Sequence, residues 1–323
     1  MIARTRSWAP LAAIALLPAA VVAGFGPMVW SPNGEFVVSW HRARIASMPL
    51  AESKAVWLTD SLPPPPAIAV SWENSTLFVP AGGDGGSPAR VDRYSPEESG
   101  AEVCLVGFKT LPSLLLLREG RAMVAGPGYC DVRDPVSGAL LDSLRWSPPV
   151  PPRGLRPWEG GCALLLEDRL VVIDGEPGFR SLPASSTGIA LAPFQEGPAL
   201  LVLREGSIIL AGPGDRERLV GNLEPGEIVI GADVTPDGHL AALAIRVDPG
   251  SAAPYPSRID VRVTDTGDLA KRFRSARILS GEKDFEVPVA AAFDPSGRFL
   301  ALSWPSSGTQ IWAVEDWSLH SLY

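Results

Sequence analysis

The chain is poor in the residues that build most catalytic and metal centres. It has only three histidines, His41, His239 and His320, and no two of them lie close in sequence. A histidine-rich metal centre is therefore not expected, and the G-x-S-x-G turn of serine hydrolases does not occur in the sequence. A Ser-His-Asp triad is still open, because such triads assemble from distant segments. We expect His239, which follows a turn, to be an ordinary surface residue.

Cysteine is equally scarce. Cys104, Cys130 and Cys162 are widely spaced, with no C-x-x-C pair and no zinc-ligand spacing. Three cysteines would allow one disulfide in an oxidising compartment, but we interpret them as small, buried apolar side chains. We expect neither a metal nor another cofactor.

Positive charge is in deficit, with 28 Lys and Arg against 36 Asp and Glu and a net charge of −8. Binding to a phosphate backbone needs a basic surface, so nucleic acid is excluded as a general partner. No stretch has the pattern of a long amphipathic helix. Instead, 32 Gly and 33 Pro separate many short apolar runs, a composition that predicts many short strands and turns.

The N-terminus, residues 1–23, has the features of a secretory signal peptide. Arg4 and Arg6 precede an apolar run at residues 11–22, and Val21-x-Ala23 is a small-residue cleavage pattern. We therefore predict an exported protein that is periplasmic, envelope-associated or extracellular. Two alternatives are an uncleaved anchor, which is the only case in which we expect membrane association, and a segment that belongs to the fold.

Internal repetition is the strongest signal in the chain. Leu-Leu-Leu-Arg-Glu-Gly at 115–120 and Leu-Val-Leu-Arg-Glu-Gly at 201–206 are each followed, four residues later, by Ala-Gly-Pro-Gly. The two copies are 86 residues apart, which is two units of 43. Each copy is typical of a strand, a tight turn in which Gly supplies positive φ, and a second strand.

A second repeat uses a different turn. Ser-Pro-Asn-Gly at 31–34, Thr-Pro-Asp-Gly at 235–238 and Asp-Pro-Ser-Gly at 294–297 each lie between apolar strands. This pattern resembles the hairpin between the first and second strands of WD-repeat and YVTN-type β-propeller blades. Residues 132–141 resemble the turn between the third and fourth strands, and residues 310–316 and 55–60 resemble third strands.

The resemblance implies an all-β fold, a single propeller domain over residues 24–323 with seven four-stranded blades, and a monomer. The approximate blade spans are 25–62, 66–107, 108–149, 155–184, 187–223, 227–280 and 285–323. Residues 319–323 would supply the last outer strand, so that ring closure need not use the N-terminus. The alternatives are a β-sandwich, an incomplete propeller, or a ring of six or eight blades.

Since no catalytic set is visible, we predict a non-catalytic scaffold that binds another protein or a ligand. The alternative is a hydrolase or lactonase-like enzyme with acidic residues, such as Asp233 and Asp294, in the central channel; that idea depends on fold analogy. If these two carboxylates have only a structural role, we expect them to cap turns.

Three segments and several tryptophans are candidates for the binding surface. The loop at 82–86 could be an anion nest or the tip of a hairpin. The proline-rich bridge that begins at residue 148 could present an extended segment to a partner or serve as a linker. The basic run that begins at residue 271 could bind an acidic partner or be the solvated side of a strand. The candidate residues are Asp84, Arg153, Arg156, Trp158, Lys271, Arg272, Arg274 and Trp317.

Overall fold

The computed structural model describes most of the chain from Met28 to Tyr323. The described residues are 28–31, 33–41, 44–52, 54–59, 68–70, 76–82, 88–94, 101–118, 120–158, 161–174, 176–182, 185–192, 199–212, 216–247, 257–274, 290–304 and 308–323. The predicted signal peptide, residues 1–23, lies outside them. Within the described part, no helix is long and apolar enough to cross a membrane.

The described residues form seven four-stranded antiparallel sheets, each from four consecutive strands. Blade one contains β1 (Met28–Trp30), β2 (Phe36–His41), β3 (Arg44–Pro49) and β4 (Val56–Trp57). Blade two contains β5 (Ala69–Val70), β6 (Leu77–Ala81), β7 (Ala89–Tyr94) and β8 (Ala101–Phe108). Blade three contains β9 (Leu114–Arg118), β10 (Arg121–Gly126), β11 (Tyr129–Arg133) and β12 (Leu140–Arg145).

The remaining blades repeat this order. Blade four contains β13 (Gly154–Trp158), β14 (Gly161–Leu165), β15 (Arg169–Asp174) and β16 (Glu176–Ser181). Blade five contains β17 (Ser186–Ala192), β18 (Ala199–Arg204), β19 (Ser207–Ala211) and β20 (Glu217–Asn222). Blade six contains β21 (Glu227–Val234), β22 (Leu240–Val247), β23 (Arg258–Val263) and β24 (Leu269–Arg274). Blade seven contains β25 (Ala290–Phe293), β26 (Phe299–Trp304), β27 (Gly308–Ala313) and β28 (Leu319–Leu322).

The first strands of the seven blades contact one another in ring order, and β25 contacts β1. The Nε1 of Trp30 donates a hydrogen bond to the carbonyl oxygen of Ala292 at 2.8 Å, which joins blade one to blade seven. The chain is therefore a seven-bladed β-propeller around a central channel. The predicted fold, blade number and last outer strand are confirmed, and the sandwich and the six- and eight-bladed alternatives are wrong.

One strand assignment is wrong. Residues 55–60 were predicted to contain a third strand, but Val56–Trp57 is the fourth strand of blade one and pairs with β3 through Ala46 and Ser47. The third strand is Arg44–Pro49, whose Arg and terminal Pro give it a weaker strand pattern than its neighbours. The surface position predicted for His239 is confirmed, because the residue is exposed directly after the turn at 235–238.

Apolar side chains fill the spaces between adjacent blades. Between blades six and seven, for example, Ile259 and Phe273 pack with Leu302 and Trp304, and all four are buried. Cys130 and Cys162 are likewise buried, as predicted, whereas Cys104 is partly exposed, and the three cysteines form no disulfide with one another. Burial raises the pKa of Cys130 to about 12 and that of Cys104 to about 11.

A charged unit that was not predicted from the sequence is repeated in blades three and six. In blade three, Asp131 pairs with Arg133 at 3.2 Å, and Arg133 donates to the carbonyl oxygen of Gly138 at 3.3 Å. In blade six, Asp260 lies 3.8 Å from Arg262, which donates to the carbonyl oxygen of Gly267 at 2.9 Å. The shared pattern is D-V-R-x-x-x-[S/T]-G at 131–138 and 260–267, a separation of 129 residues, or three units of 43.

The glycine of each unit is required by its surroundings. Gly138 and Gly267 have φ values of 71° and 75°, in the left-handed region. A Cβ on Gly138 would lie 3.0 Å from the carbonyl oxygen of Cys104, and one on Gly267 would lie 3.0 Å from that of Leu219. Both contacts are to the outer strand of the preceding blade, so this turn fixes the distance between neighbouring blades.

Candidate functional site

The central channel holds an ion pair that connects blades four and six. Arg156 lies on the inner strand β13 and pairs with Asp233, which lies near the end of the inner strand β21. The Nη1 of Arg156 also donates to the carbonyl oxygen of Val234 at 3.4 Å. The guanidinium therefore reaches across blade five to blade six. Arg156 is thus a channel residue and does not belong to the proline-rich bridge.

Asp233 also forms a hydrogen bond to blade seven. Its Oδ2 accepts a hydrogen bond from the backbone N–H of Phe293, on β25 of blade seven, at 2.7 Å. The side chain of Asp233 is 11% exposed and that of Arg156 is 34% exposed, so the pair lies inside the channel but remains in reach of water. Desolvation in this channel lowers the pKa of Arg156 to about 10, and the side chain is still charged at neutral pH.

Asp294, the second carboxylate considered for an enzyme site, caps a turn. It accepts hydrogen bonds from the backbone N–H of Phe299 at 2.7 Å and of Ser296 at 3.0 Å. In the equivalent turns the hydroxyls of Ser31 and Thr235 accept from the matching N–H groups. The structural role expected for Asp294 is thus correct, whereas Asp233 is a channel residue and caps no turn.

Among the residues that the structure describes, no group of three or more His, Cys, Asp and Glu side chains could hold a metal ion. The channel carboxylate of Asp233 is matched by the positive charge of Arg156 and by one backbone donor. The arrangement joins three blades electrostatically.

The basic run on β24 divides between two faces of blade six. Arg272 makes two hydrogen bonds to the carboxylate of Asp260, at 2.6 and 2.8 Å, and so is an internal residue. Lys271 points to the opposite side, and Arg274 is exposed at the end of the strand. The structure brings Lys271 close to the aromatic cluster that contains Trp317, whose ring lies 6.0 Å from that of Phe273.

The other predicted binding residues are placed elsewhere. Arg153 precedes β13 and pairs with Glu167 at 3.2 Å, with both side chains well exposed. Trp158 is the last residue of β13. Asp84 lies outside the described residues. The seven candidates that the structure describes therefore fall into two separate groups, one in blade four and one where blade six meets blade seven.

The outer strands of blades two and three carry exposed apolar side chains that were not predicted from the sequence. Five large apolar side chains there are at least half exposed: Val103 51%, Val106 55%, Val136 82%, Leu140 52% and Leu141 54%. We call these five residues the two–three rim. The signal in the sequence was Val136, an apolar residue inside the turn Asp-Pro-Val-Ser-Gly at 134–138.

The two parts of the two–three rim lie on neighbouring blades. Val103 and Val106 lie on β8, and Val136, Leu140 and Leu141 lie on or just before β12. The turn that carries Val136 packs directly on β8, because the Cβ position of Gly138 is 3.0 Å from the carbonyl oxygen of Cys104. The rim thus spans the junction of two neighbouring blades.

No protein-family model matches the chain. No curated protein matches it either. Solved structures do match. A chain of Kuenenia stuttgartiensis hydrazine synthase is 14% identical, with a TM-score of 0.63, and the match covers 90% of this chain and 96% of that one.

A chain of the mitotic checkpoint complex is 13% identical, with a TM-score of 0.62, and the match covers 90% of both chains. At this level of identity the two similarities show the propeller fold alone.

Proposed function

We propose that the protein is a non-catalytic binding propeller that holds another protein on the two–three rim. The observation that carries this proposal is the exposure of five large apolar side chains where the turn at 134–138 packs on the outer strand of blade two. Single exposed apolar residues are ordinary, but a contiguous group of them is typical of a surface that a partner covers.

The shape of the patch favours a protein over a small molecule. Nothing in β12 is fully buried, and one edge of this strand has no neighbour within its sheet. Its free backbone N–H and C=O groups can pair with an extended segment, and the apolar side chains can pack against it. A flat edge of this kind gives a small ligand little enclosure.

The proposal has two further parts. The turns at 31–34, 235–238 and 294–297 support a relationship to WD-repeat-like and YVTN-type propellers. The arginines, apolar run and cleavage pattern of residues 1–23 support export to the envelope or the medium. The N-terminal sequence of the protein purified from culture fractions tests export, with Gly24 as the expected first residue.

Binding is tested by affinity capture with the full chain as bait in cells that naturally produce it. Val136→Asp puts a charge at the most exposed residue of the two–three rim and should remove a stoichiometric partner. Leu322→Asp is the matched control, because Leu322 is 59% exposed on the outer strand of blade seven. A partner that is retained equally by both variants would show that the rim is not the binding surface.

A further inference from the structure

Three aromatic rings meet where the outer strand of blade six contacts blade seven. The ring of Phe273 lies 4.9 Å from that of Trp312 and 6.0 Å from that of Trp317. Phe273 is buried, and both tryptophans are partly exposed. We call these three residues the six–seven aromatic cluster.

A lysine ammonium covers two of these rings. The Nζ of Lys271 is 5.9 Å from the ring centre of Phe273 and 5.9 Å from that of Trp312. Within the described part of the chain, no carboxylate forms an ion pair with Lys271. The faces of Phe273 and Trp312 are therefore its main attraction, as expected for a cation–π contact.

The equivalent contact between blades two and three is built differently. There Arg133 stacks on Phe108, 4.7 Å from the ring centre, and Asp131 holds the guanidinium in place. At the matching positions of blade seven, Trp312 replaces the arginine, and its Nε1 donates to Gln310 at 3.1 Å. An aromatic ring, that of Trp312, thus stands where blade three has the guanidinium of Arg133. The cation over the rings is instead the ammonium group of Lys271.

Trp317 provides independent support for a special role of this cluster. Its φ is 55°, in a turn where the sister blades have Gly138 and Gly267 at 71° and 75°. A bulky side chain in the left-handed region is strained, and such strain is most often found at functional sites. Blade seven keeps a tryptophan where the backbone favours glycine, and its ring packs on Phe273.

We propose that the six–seven aromatic cluster binds an organic cation, such as the lysine, arginine or methylated ammonium group of another molecule. Lys271 occupies the site when that cation is absent. The net charge of −8 favours the approach of a cationic ligand. The site is far from the two–three rim in blade order, so it does not depend on the function proposed above.

The test is a titration of the full chain with tetramethylammonium chloride at constant total chloride, followed by tryptophan fluorescence. Lys271→Met removes the internal cation, and we expect its dissociation constant to be at least fivefold lower than that of the wild type. Lys271→Arg keeps a cation over the rings and should bind as weakly as the wild type. Lys54→Met, at an exposed lysine of blade one, is the matched control and should also resemble the wild type.

The comparison of Lys271→Met with Lys54→Met decides the question. Equal dissociation constants for these two variants, or a response of Lys271→Met that does not saturate, would overturn the proposal. Trp312→Leu added to Lys271→Met should abolish the gain. Circular dichroism shows whether that double variant is folded, and the decision does not require it to be.

Discussion

Replacement of Asp260 by Asn should destabilise the propeller strongly. The side chains of Asp260 and Glu227 have no exposed surface, and that of Arg258, which pairs with both, is only 3% exposed. Asp260 also accepts two hydrogen bonds from Arg272. Asn keeps the shape of the side chain but removes its charge, so the buried Arg258 and the partly buried Arg262 and Arg272 lose a counter-charge. Breaking a buried pair in this way costs about 3–5 kcal/mol.

The equivalent residue of blade three is the matched control. Asp131 is also buried, with 4% of its side chain exposed, but of its two partners only Arg133 is buried to a similar degree, at 12% exposed. Arg145 is 55% exposed and can be rehydrated. Asp131→Asn should therefore cost less, about 1–2 kcal/mol. Urea unfolding at pH 7, followed by tryptophan fluorescence and circular dichroism, gives both free energies of unfolding.

The same cluster makes a prediction about pH. Burial alone would raise the pKa of Asp260, but hydrogen bonds and positive charges from Arg272 and Arg258 outweigh it and hold the pKa below the usual value. A lowered carboxyl pKa stabilises the fold above the unfolded-state pKa of about 4, and this stabilisation is lost as pH falls through the folded-state pKa. The difference between wild type and Asp260→Asn should shrink below pH 4. A loss under about 1 kcal/mol at pH 7, or a larger loss for Asp131→Asn, would refute the reasoning.

Three further predictions concern the turns and the thiols. In Gly138→Ala and Gly267→Ala the new Cβ would lie 3.0 Å from a backbone oxygen, whereas in Gly120→Ala, also at positive φ, it would meet open space. The first two variants should each lose at least about 1 kcal/mol more free energy of unfolding than the third, as measured by urea unfolding. The free energy of unfolding of Trp317→Gly should be about 1 kcal/mol higher than that of Trp317→Ala, because only Gly adopts a φ of 55° without strain. The opposite order in urea unfolding would contradict the strained turn. At pH 8 the folded, reduced protein should react slowly with a thiol reagent, because burial raises the pKa of Cys130 to about 12 and of Cys104 to about 11; fast labelling of Cys130 before urea is added would contradict its burial.

The blades could be predicted because their signals are local. Each hairpin carries its own turn residues and flanking apolar strands. The repeat length of 43 residues indicates which blade of the ring each hairpin belongs to. The charged unit at 131–138 and 260–267 has the same kind of signal and could have been found as a repeat. The third strand of blade one was missed because Arg44–Pro49 has a weak strand pattern.

The candidate sites were less predictable because they depend on contacts between blades. Arg156 and Asp233 are 77 positions apart, and nothing near either residue indicates that they meet in the channel. Leu140 and Leu141 have the pattern of core residues, yet both are exposed because β12 is an outer strand. Lys271 and Trp317 were both selected from the sequence, but only the packing of blade six on blade seven brings their cluster together.

The central claim, that the two–three rim binds another protein, is tested most directly by photo-crosslinking in the cells that produce the chain. A photoreactive side chain at position 136 samples the rim, and one at position 56 samples an exposed valine on the outer strand of blade one. We predict one discrete crosslinked protein from position 136 and none from position 56. The same products from both positions, or none from position 136, would contradict the claim.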